Sequence, residues 1–357
     1  MFFFINSILS INKLSMIEYI IITAFLTSLI TLIIFRPVAI KFNLVDYPTE
    51  RKNHIGNIPL IGGICVFLGL LTSYFLFIEF DKFSSALLFT ASLILIHGVW
   101  DDCTNLKAKT KIAFQAFLSA IMIYVTDVKL ESFGDLFGVS YPLELGILSI
   151  PITIIGVIAL TNAINMIDGI DGLAAGIMLL AITGLICFNL TLEFSPFTSI
   201  LLAVASALLP FIIFNIAPYP KIKVFLGDGG SLFLGYIISW ALIYSAENIN
   251  NFTPSFALWC VAIPLFDFFT VIIIRIVKKH SIMIARKDHI HHFLENLGFS
   301  KKLILLLTVS SGLAILLIGS LIENNFPALS FPVFLILFLF YLFIRIYNNS
   351  EKKVKRY

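Results

Sequence analysis

The chain has 357 residues, 59% hydrophobic and 13% charged, with a formal net charge of +3 and a mean hydropathy of +1.01. A soluble domain carries about 25% charged residues, so there is too little polar surface here to cover a water-soluble globule of this size. The bilayer has to be the main solvent, and the mild total charge matters less than where the charges lie.

The first fifteen residues are apolar, but their only basic residue, Lys13, stands at the wrong end for a signal peptide. They read as an N-terminal extension lying near the membrane. Crossing a hydrocarbon core takes roughly 20 apolar residues in a helix. Runs that meet or approach this occupy 16–35, 57–78, 84–100, 112–126, 147–163, 172–192, 198–216, 229–245, 255–276, 303–321 and 326–347. No linker rich in Pro, Gly or Ser divides the chain, and no repeat is evident. The expected fold is an all-α integral membrane protein with about eleven transmembrane helices, forming one multi-pass domain over 1–357.

Eleven crossings place the termini on opposite sides, and Lys and Arg are retained in the cytoplasm. One side collects Arg36 to Lys52, Lys107 to Lys111, Lys221 and Lys223, Arg275 to Lys302, and the C-terminal stretch from Arg345. Only Lys13, Lys82 and Lys129 fall on the other. The N-terminus is therefore expected to be periplasmic and the C-terminus cytoplasmic. The same division gathers Asp46 to His54, Asp101-Asp102, Asn162 to Asp171, Asn215 to Asp228 and Lys287 to His292 on the cytoplasmic side. Acids, bases, amides and imidazoles from five distant loops on one face predict an active site at the cytoplasmic membrane surface.

Each cluster has a chemical reading and a plainer one. Asp101-Asp102 ends an apolar run just before Lys107, Lys109 and Lys111. Adjacent carboxylates hold Mg²⁺ through oxygen, or one acts as base beside the metal; the plainer reading is a solvated helix end paired to lysines. In Asn162 to Gly172, a helix would put Asp168 and Asp171 on one face, and glycines permit close backbone approach to a ligand. The alternative is a polar turn in which Asp171 caps the next helix. Phe225-Leu226-Gly227-Asp228-Gly229-Gly230-Ser231 opens a helix whose N–H groups suit phosphate. Asp228 among them calls for a cation between acid and phosphate; a simple capping turn is the alternative. Arg286 to His292 matches no zinc spacing and fits phosphate binding or proton handling, against a basic loop facing anionic lipid. Asp267, inside an apolar run, should face the bundle interior, as a structural group or as part of the site. The cysteines Cys65, Cys103, Cys187 and Cys260 lack metal-ligand spacing and read as reduced thiols.

These clusters, in this order, resemble the polyprenyl-phosphate N-acetylhexosamine-1-phosphate transferases. Five stretches carry the likeness: Asp46 to Gly63, the Asp101-Asp102 loop, 162–172, 225–231 and His289 to His292. His289-Ile290-His291-His292 and the Arg51 to Leu60 stretch look like the N-acetylglucosamine branch. Ile290 interrupts the run of histidines found in the peptidoglycan branch, and Cys103 stands directly after the Asp pair, where Arg or another polar residue is often found in the family. The resemblance implies that undecaprenyl phosphate attacks a UDP-N-acetylhexosamine and UMP departs, with Mg²⁺ or Mn²⁺ required. It implies Asp228 as metal ligand, with Asp101 or Asp102 activating the lipid phosphate or sharing the metal. Lys52, Asp168 and Phe225 would lie near the nucleotide, Asn165, Asp171 and Asn215 would line the site, Lys111 would meet phosphate, and His289, His291 and His292 the diphosphate or sugar. Implied too are a bacterial cytoplasmic (inner) membrane location, a role in O-antigen or related envelope glycan synthesis, contact with membrane lipids, and a homodimer; no nucleic acid partner is expected. The rival from another class is a transporter of a phosphorylated substrate, which would place binding groups near the midplane of repeated halves.

Overall fold

The computed structural model describes residues 2–48, 56–188, 195–249, 252–282 and 286–354, with side chains within 15–348. In chain order the helices are α1 (Phe2–Lys41), α2 (Gly62–Phe77), α3 (Lys82–Thr104), α4 (Ala108–Thr126), α5 (Ser149–Ile167), α6 (Leu173–Phe188) and α7 (Pro196–Asn215). They continue with α8 (Gly227–Asn248), α9 (Pro254–Cys260), α10 (Ala262–Val277), α11 (Ile290–Glu295), α12 (Lys301–Asn325) and α13 (Pro327–Val354). Two short strands, β1 (Val45–Asp46) and β2 (Ile58–Pro59), pair antiparallel. Each apolar run predicted from the sequence overlaps these helices, with 255–276 divided between α9 and α10 and 172–192 described only as far as Phe188, and the N-terminal residues continue α1 from Phe2.

Helix starts are written locally. Ser195 and Thr253 each precede a proline at the first helical turn, and their hydroxyls accept Thr198 and Phe256 N–H; Asp81 accepts Ser84 N–H at the head of α3. Such caps satisfy N–H groups that have no partner within the helix.

Among the described residues eight helices are long and apolar enough to span a membrane, and a ninth if α9 and α10 count as one span despite their 88° bend. Reaching the expected eleven would take α2 and α6 as further crossings. Helix α2 has 16 residues, about 24 Å at 1.5 Å per residue against a core about 30 Å thick, and α6 has 16 described residues, ending at Phe188 where the described stretch ends. Of the most apolar windows of α1, α12 and α13, only 22%, 28% and 11% is buried within the protein. Exposed apolar helix faces of this extent belong in lipid.

The chain divides into two compact units. The first holds Met1–Asp127 and Asn189–Ile238. In it α1, α2 and α7 pack together, tied by serine hydroxyls donating to neighbouring carbonyls: Ser28 to Ala207 (2.8 Å), Ser73 to Ile20 (3.1 Å) and Ser206 to Ile21 (2.7 Å). Small polar residues serve as inter-helix glue where no water competes. Phe225 N–H donates to Pro59 carbonyl, and Gly62 and Gly63 N–H donate to Phe225 and Leu226, so the segment before α8 is stitched to the start of α2. Two glycine pairs then allow helix backbones to touch. A Cβ on Gly63 would sit 2.1 Å from Gly230 Cα, and one on Gly98 2.4 Å from Gly229 Cα.

The second unit holds Val128–Phe188 and Ser239–Tyr357. There α12 packs on α6 and α13, and α10 on α5. Glu323 is buried and accepts from Thr253 (2.7 Å) and from Ser330, which in turn accepts the Trp259 indole N–H (3.1 Å).

The glycine contacts give a test. Gly98→Ala is expected to lower the melting temperature of the purified protein, by about 1–3 kcal/mol of stability as for overpacked cores. Gly156→Ala in α5, whose added Cβ meets nothing within 4 Å, is expected to be neutral or stabilising by up to about 1 kcal/mol. Equal melting for both variants would contradict the close approach of α3 to α8.

Candidate functional site

In the first unit, three helix ends bring acids to one lysine. Asp101 and Asp102 occupy the last turn of α3, Lys111 the first turn of α4, and Asp228 the first turn of α8. Asn105 adopts a left-handed conformation (φ 53°), which ends α3 and turns the chain into α4. Asp101 stabilises this turn: one oxygen accepts Leu106 N–H at 2.7 Å, and the other meets Lys111 Nζ at 2.5 Å. Lys111 Nζ also lies 3.7 Å from Asp228 Oδ2. Asp101 is buried, whereas the Asp228 side chain is 44% exposed, so one side of the cluster opens outward.

Asp102 does something different. Its Oδ1 accepts Asp228 N–H at 2.9 Å and its Oδ2 accepts Gly229 N–H at 3.2 Å. A carboxylate from α3 thus caps α8 and meets the positive end of that helix's dipole. Gly227 permits the approach: its φ is +77°, and a Cβ there would fall 2.7 Å from Asp102 Oδ2. The expectation that the glycine-rich start of α8 offers these N–H groups to phosphate is corrected here, because two of them are already taken by Asp102.

Phe225 is half-buried, with Lys223 Nζ 5.6 Å from its ring centroid. Asn215 is buried and donates to Val224 carbonyl at 2.9 Å, bracing the turn between α7 and α8. Lys52 lies outside the described residues.

In the second unit, α5 ends at Ile167 and residues 168–172 form a turn. Asp168 and Asp171 therefore do not share a helical face as their spacing predicts; Gly172, at φ +79°, helps break the helix between the acids and α6. Asn165, Asp168 and Asp171 are half-buried around this turn. The same turn receives the histidine segment: a Cβ on Gly169 would lie 2.1 Å from His291 Nε2.

That segment is anchored by Asp267. Its carboxylate accepts His289 Nδ1–H (2.8 Å), Ile290 N–H (2.8 Å), Arg345 Nη1–H (2.9 Å) and Tyr341 O–H (3.3 Å). The role left open from sequence is thus a holding role: Asp267 sets the start of α11 and orients the His289 ring. Arg345 and Tyr341 were missed in sequence. The available signal was an arginine in the last apolar run, since a buried acid in a membrane helix calls for a buried base. Asp288 takes a two-pronged contact from Arg275 (2.9 and 2.7 Å); burial alone would raise its pKa, but Arg275 holds it below the usual carboxylate range. The three histidines differ. His289 and His291 are buried, while His292 pairs with Glu295 at 3.1 Å. Burial, with the charge of His292 added, pushes His291 down to about 3, so its ring is neutral and packs on Gly169 instead of presenting a cation.

Among the described residues no three His, Cys, Asp or Glu side chains form a ready cation cage. The donor set nevertheless fits a divalent cation of the Mg²⁺ type, which is held by one or two carboxylates together with substrate phosphates and water. Asp228 and Asp101 already converge on one positive charge, the Lys111 ammonium, and Asp228 is open to solvent. Asp102, with both oxygens on backbone N–H groups, is placed to hold the helix that carries Asp228.

Two outcomes follow. Asp102→Ala leaves the α8 N–H groups without their acceptor and is expected to lower stability by about 1–2 kcal/mol, with Asp102→Asn closer to wild type; a melting temperature unchanged in the Ala variant would remove the cap from the account. For His291, an unfolded chain binds a proton near pH 6.5 that the folded chain refuses until about 3. Stability is therefore complete above about pH 6.5 and falls as pH drops, by up to about 1.4 kcal/mol per unit. Melting between pH 7 and 4.5 should be less pH-dependent in His291→Gln; parallel curves would exclude this titration.

Comparison with known proteins gives a family and several relatives. The family profile for Glycosyl transferase family 4 matches residues 84–246, from α3 into α8. A protein of Bacillus subtilis (strain 168), named as a probable undecaprenyl-phosphate N-acetylglucosaminyl 1-phosphate transferase, is 34% identical over 331 residues, covering 91% of this chain and 89% of its own. The undecaprenyl-phosphate alpha-N-acetylglucosaminyl 1-phosphate transferases of Escherichia coli (strain K12) and Yersinia pestis are each 33% identical, over 93% of this chain and 90% of theirs. With likeness of this extent running through nearly the whole length of both partners, the chain belongs to glycosyl transferase family 4.

Proposed function

We propose that the protein transfers N-acetylglucosamine-1-phosphate from UDP-N-acetylglucosamine to undecaprenyl phosphate and releases UMP. The observation that carries this reading is the Asp101–Lys111–Asp228 cluster, with Asp228 exposed at the head of a helix capped by Asp102. It joins membrane helices in a family whose relatives carry that activity in their names.

In the reaction, a phosphate oxygen of the lipid forms a bond to the sugar-linked phosphorus of the donor. The bond from that phosphorus to the bridging oxygen breaks, and UMP leaves with the electron pair. Such transfers depend mainly on positioning and charge neutralisation. Asp228, with Asp101 in support, would hold a Mg²⁺ or Mn²⁺, which would supply charge neutralisation to the diphosphate. Lys111 shares its charge between Asp101 and Asp228, and it can swing part of that charge to an incoming phosphate. Asp101, fixed by Leu106 N–H, keeps Lys111 in reach. Asp102 holds Asp228 in place through the backbone. Phe225 offers a half-exposed ring for uracil. Lys52, Asn165, Asp168, Asp171, Asn215, His289, His291 and His292 are assigned to the substrates by resemblance; for Asn215 and His291 the assignment is indirect, through the loop or turn each one braces.

In this reading eleven crossings, a cytoplasmic active face, a periplasmic N-terminus and a cytoplasmic C-terminus place the reaction in the bacterial cytoplasmic membrane, with the protein acting as a homodimer at the first step of an envelope glycan such as O-antigen. The basic residues gathered on one side support that orientation.

The test is UMP release by purified protein with undecaprenyl phosphate, Mg²⁺ and a panel of UDP-sugars. UDP-N-acetylglucosamine is expected to be the best donor, with no UMP when lipid or metal is omitted. Asp228→Asn should reduce turnover by about 10²-fold or more, and Lys111→Met should weaken it while leaving the protein folded. A folded protein that releases no UMP from any donor would overturn the assignment and favour a transport role.

A further inference from the structure

In the second unit, residues 131–145 fold back on themselves as a short hairpin where α5 and α13 begin. Phe133 N–H donates to Leu143 carbonyl, Leu143 N–H to Gly134 and Leu145 N–H to Glu131, with Ser132 opposite Glu144. Its base is tied to two helices. Leu130 N–H donates to Thr153 Oγ1 (2.9 Å), Ser149 Oγ to Leu130 carbonyl (2.6 Å), and Glu131 N–H to Glu247 at the end of α8 (3.0 Å). At the tip, the two Asp135 oxygens accept N–H from Val139 (3.0 Å) and Ser140 (2.8 Å). The tip rests on the head of α13. Phe137 packs edge-on against Phe331, ring centroids 5.8 Å apart, and a Cβ on Gly138 would lie 2.4 Å from Ala328 Cβ.

A hairpin held this firmly in water would show polar side chains at its tip. This one exposes Phe137, Val139, Leu143 and, at 80%, Tyr141. The apolar surface continues on both sides. On α13, Leu335 and Leu339 stand seven and eleven residues beyond Ala328, on the helix face under the tip, and both are exposed. Beyond the hairpin base, Ile147, Ile150 and Ile155 are exposed along the start of α5. These residues belong to Gly146–Ile167 and Pro327–Asn348, two helical stretches long and apolar enough to span a membrane. The hairpin thus lies between two lipid-facing surfaces, where both spans begin. Lipid covers all three surfaces at once, whereas a soluble partner would cover the hairpin and leave the spans. Charge sets the depth: Glu131, Asp135 and Glu144 are exposed on the same hairpin. Carboxylates are costly in hydrocarbon, so the fit is to the interface, where aromatic rings sit at headgroup level.

We propose that the 131–145 hairpin is an interfacial anchor, with Phe137, Val139 and Tyr141 entering the boundary between headgroups and acyl chains of the leaflet in which α5 and α13 begin. Because its base is bound to α5 and α8 and its tip to α13, the anchor fixes the depth of those helix ends. It works whichever sugar donor the enzyme uses.

The experiment places a tryptophan in the full chain by Tyr141→Trp and, in a second variant, by Val139→Trp, each reconstituted at one copy per phosphatidylcholine nanodisc. Emission above that of wild type reports the added ring. Phosphatidylcholine brominated on its acyl chains is expected to remove about half or more of this added emission, and aqueous iodide to remove little. Three results would overturn the proposal. Quenching by iodide and not by brominated lipid would put the hairpin in water. Shielding from both would put it under protein atoms. Rings open to iodide in single copies but shielded when two copies share a disc would make a second copy the occupant.

Discussion

The contact between Asp102 and the first N–H groups of α8 sets the geometry of the first unit. An uncapped helix start in or near lipid leaves N–H groups without water to meet them, and here the carboxylate of another membrane helix takes that place. It can do so because Gly227 turns with positive φ, and because Gly98 and Gly229 let the two backbones touch. Asp228 gains its position from the same contact. It projects from a helix whose start is fixed to α3, beside Asp101, and both acids meet Lys111. Adjacent aspartates thus do different work: Asp102 caps another helix, while Asp101 holds its own turn and the lysine.

The second unit uses the same device with different residues. Asp267 is buried in α10 and accepts Ile290 N–H at the start of α11, while Arg345 and His289 satisfy the rest of its carboxylate. A lone buried charge in an apolar bundle is costly; a carboxylate with four donors, one of them an arginine, is a rigid joint. The benefit falls to the histidine segment, which is pinned at Asp267 on one side and seated against Gly169 on the other. Both units therefore hold polar segments at helix ends through carboxylates that accept backbone N–H groups.

The glycines illustrate how one residue type supports several kinds of constraint. Gly63, Gly98, Gly229 and Gly230 are needed for the space a Cβ would occupy, Gly227 for backbone angle as well as space, and Gly169 for the face of an imidazole. In the sequence, all but Gly98 stand inside motifs that read as ligand-binding loops. Much of their function is to let other protein atoms approach.

Several properties were legible in the sequence because they depend on composition and short-range pattern. Too few charges for a soluble surface, apolar runs of helical length, and Ser-Pro or Thr-Pro helix starts are local facts, and the helices appear where those facts place them. The Asp101-Asp102, Asp228 and histidine clusters were visible as chemistry, since polar residues stand out in an apolar chain. Tertiary structure decided what each group faces. Nothing near Asp102 in the chain shows that its partners are N–H groups 126 and 127 residues away, nor does the spacing of Asp168 and Asp171 reveal a turn where a helix was expected. Burial, with the charge of His292 added, makes His291 neutral, and that depends on the packing around it. Identity and spacing set which groups are available; which of them bind each other, and which remain open for a ligand, follows from distances that only the folded chain defines.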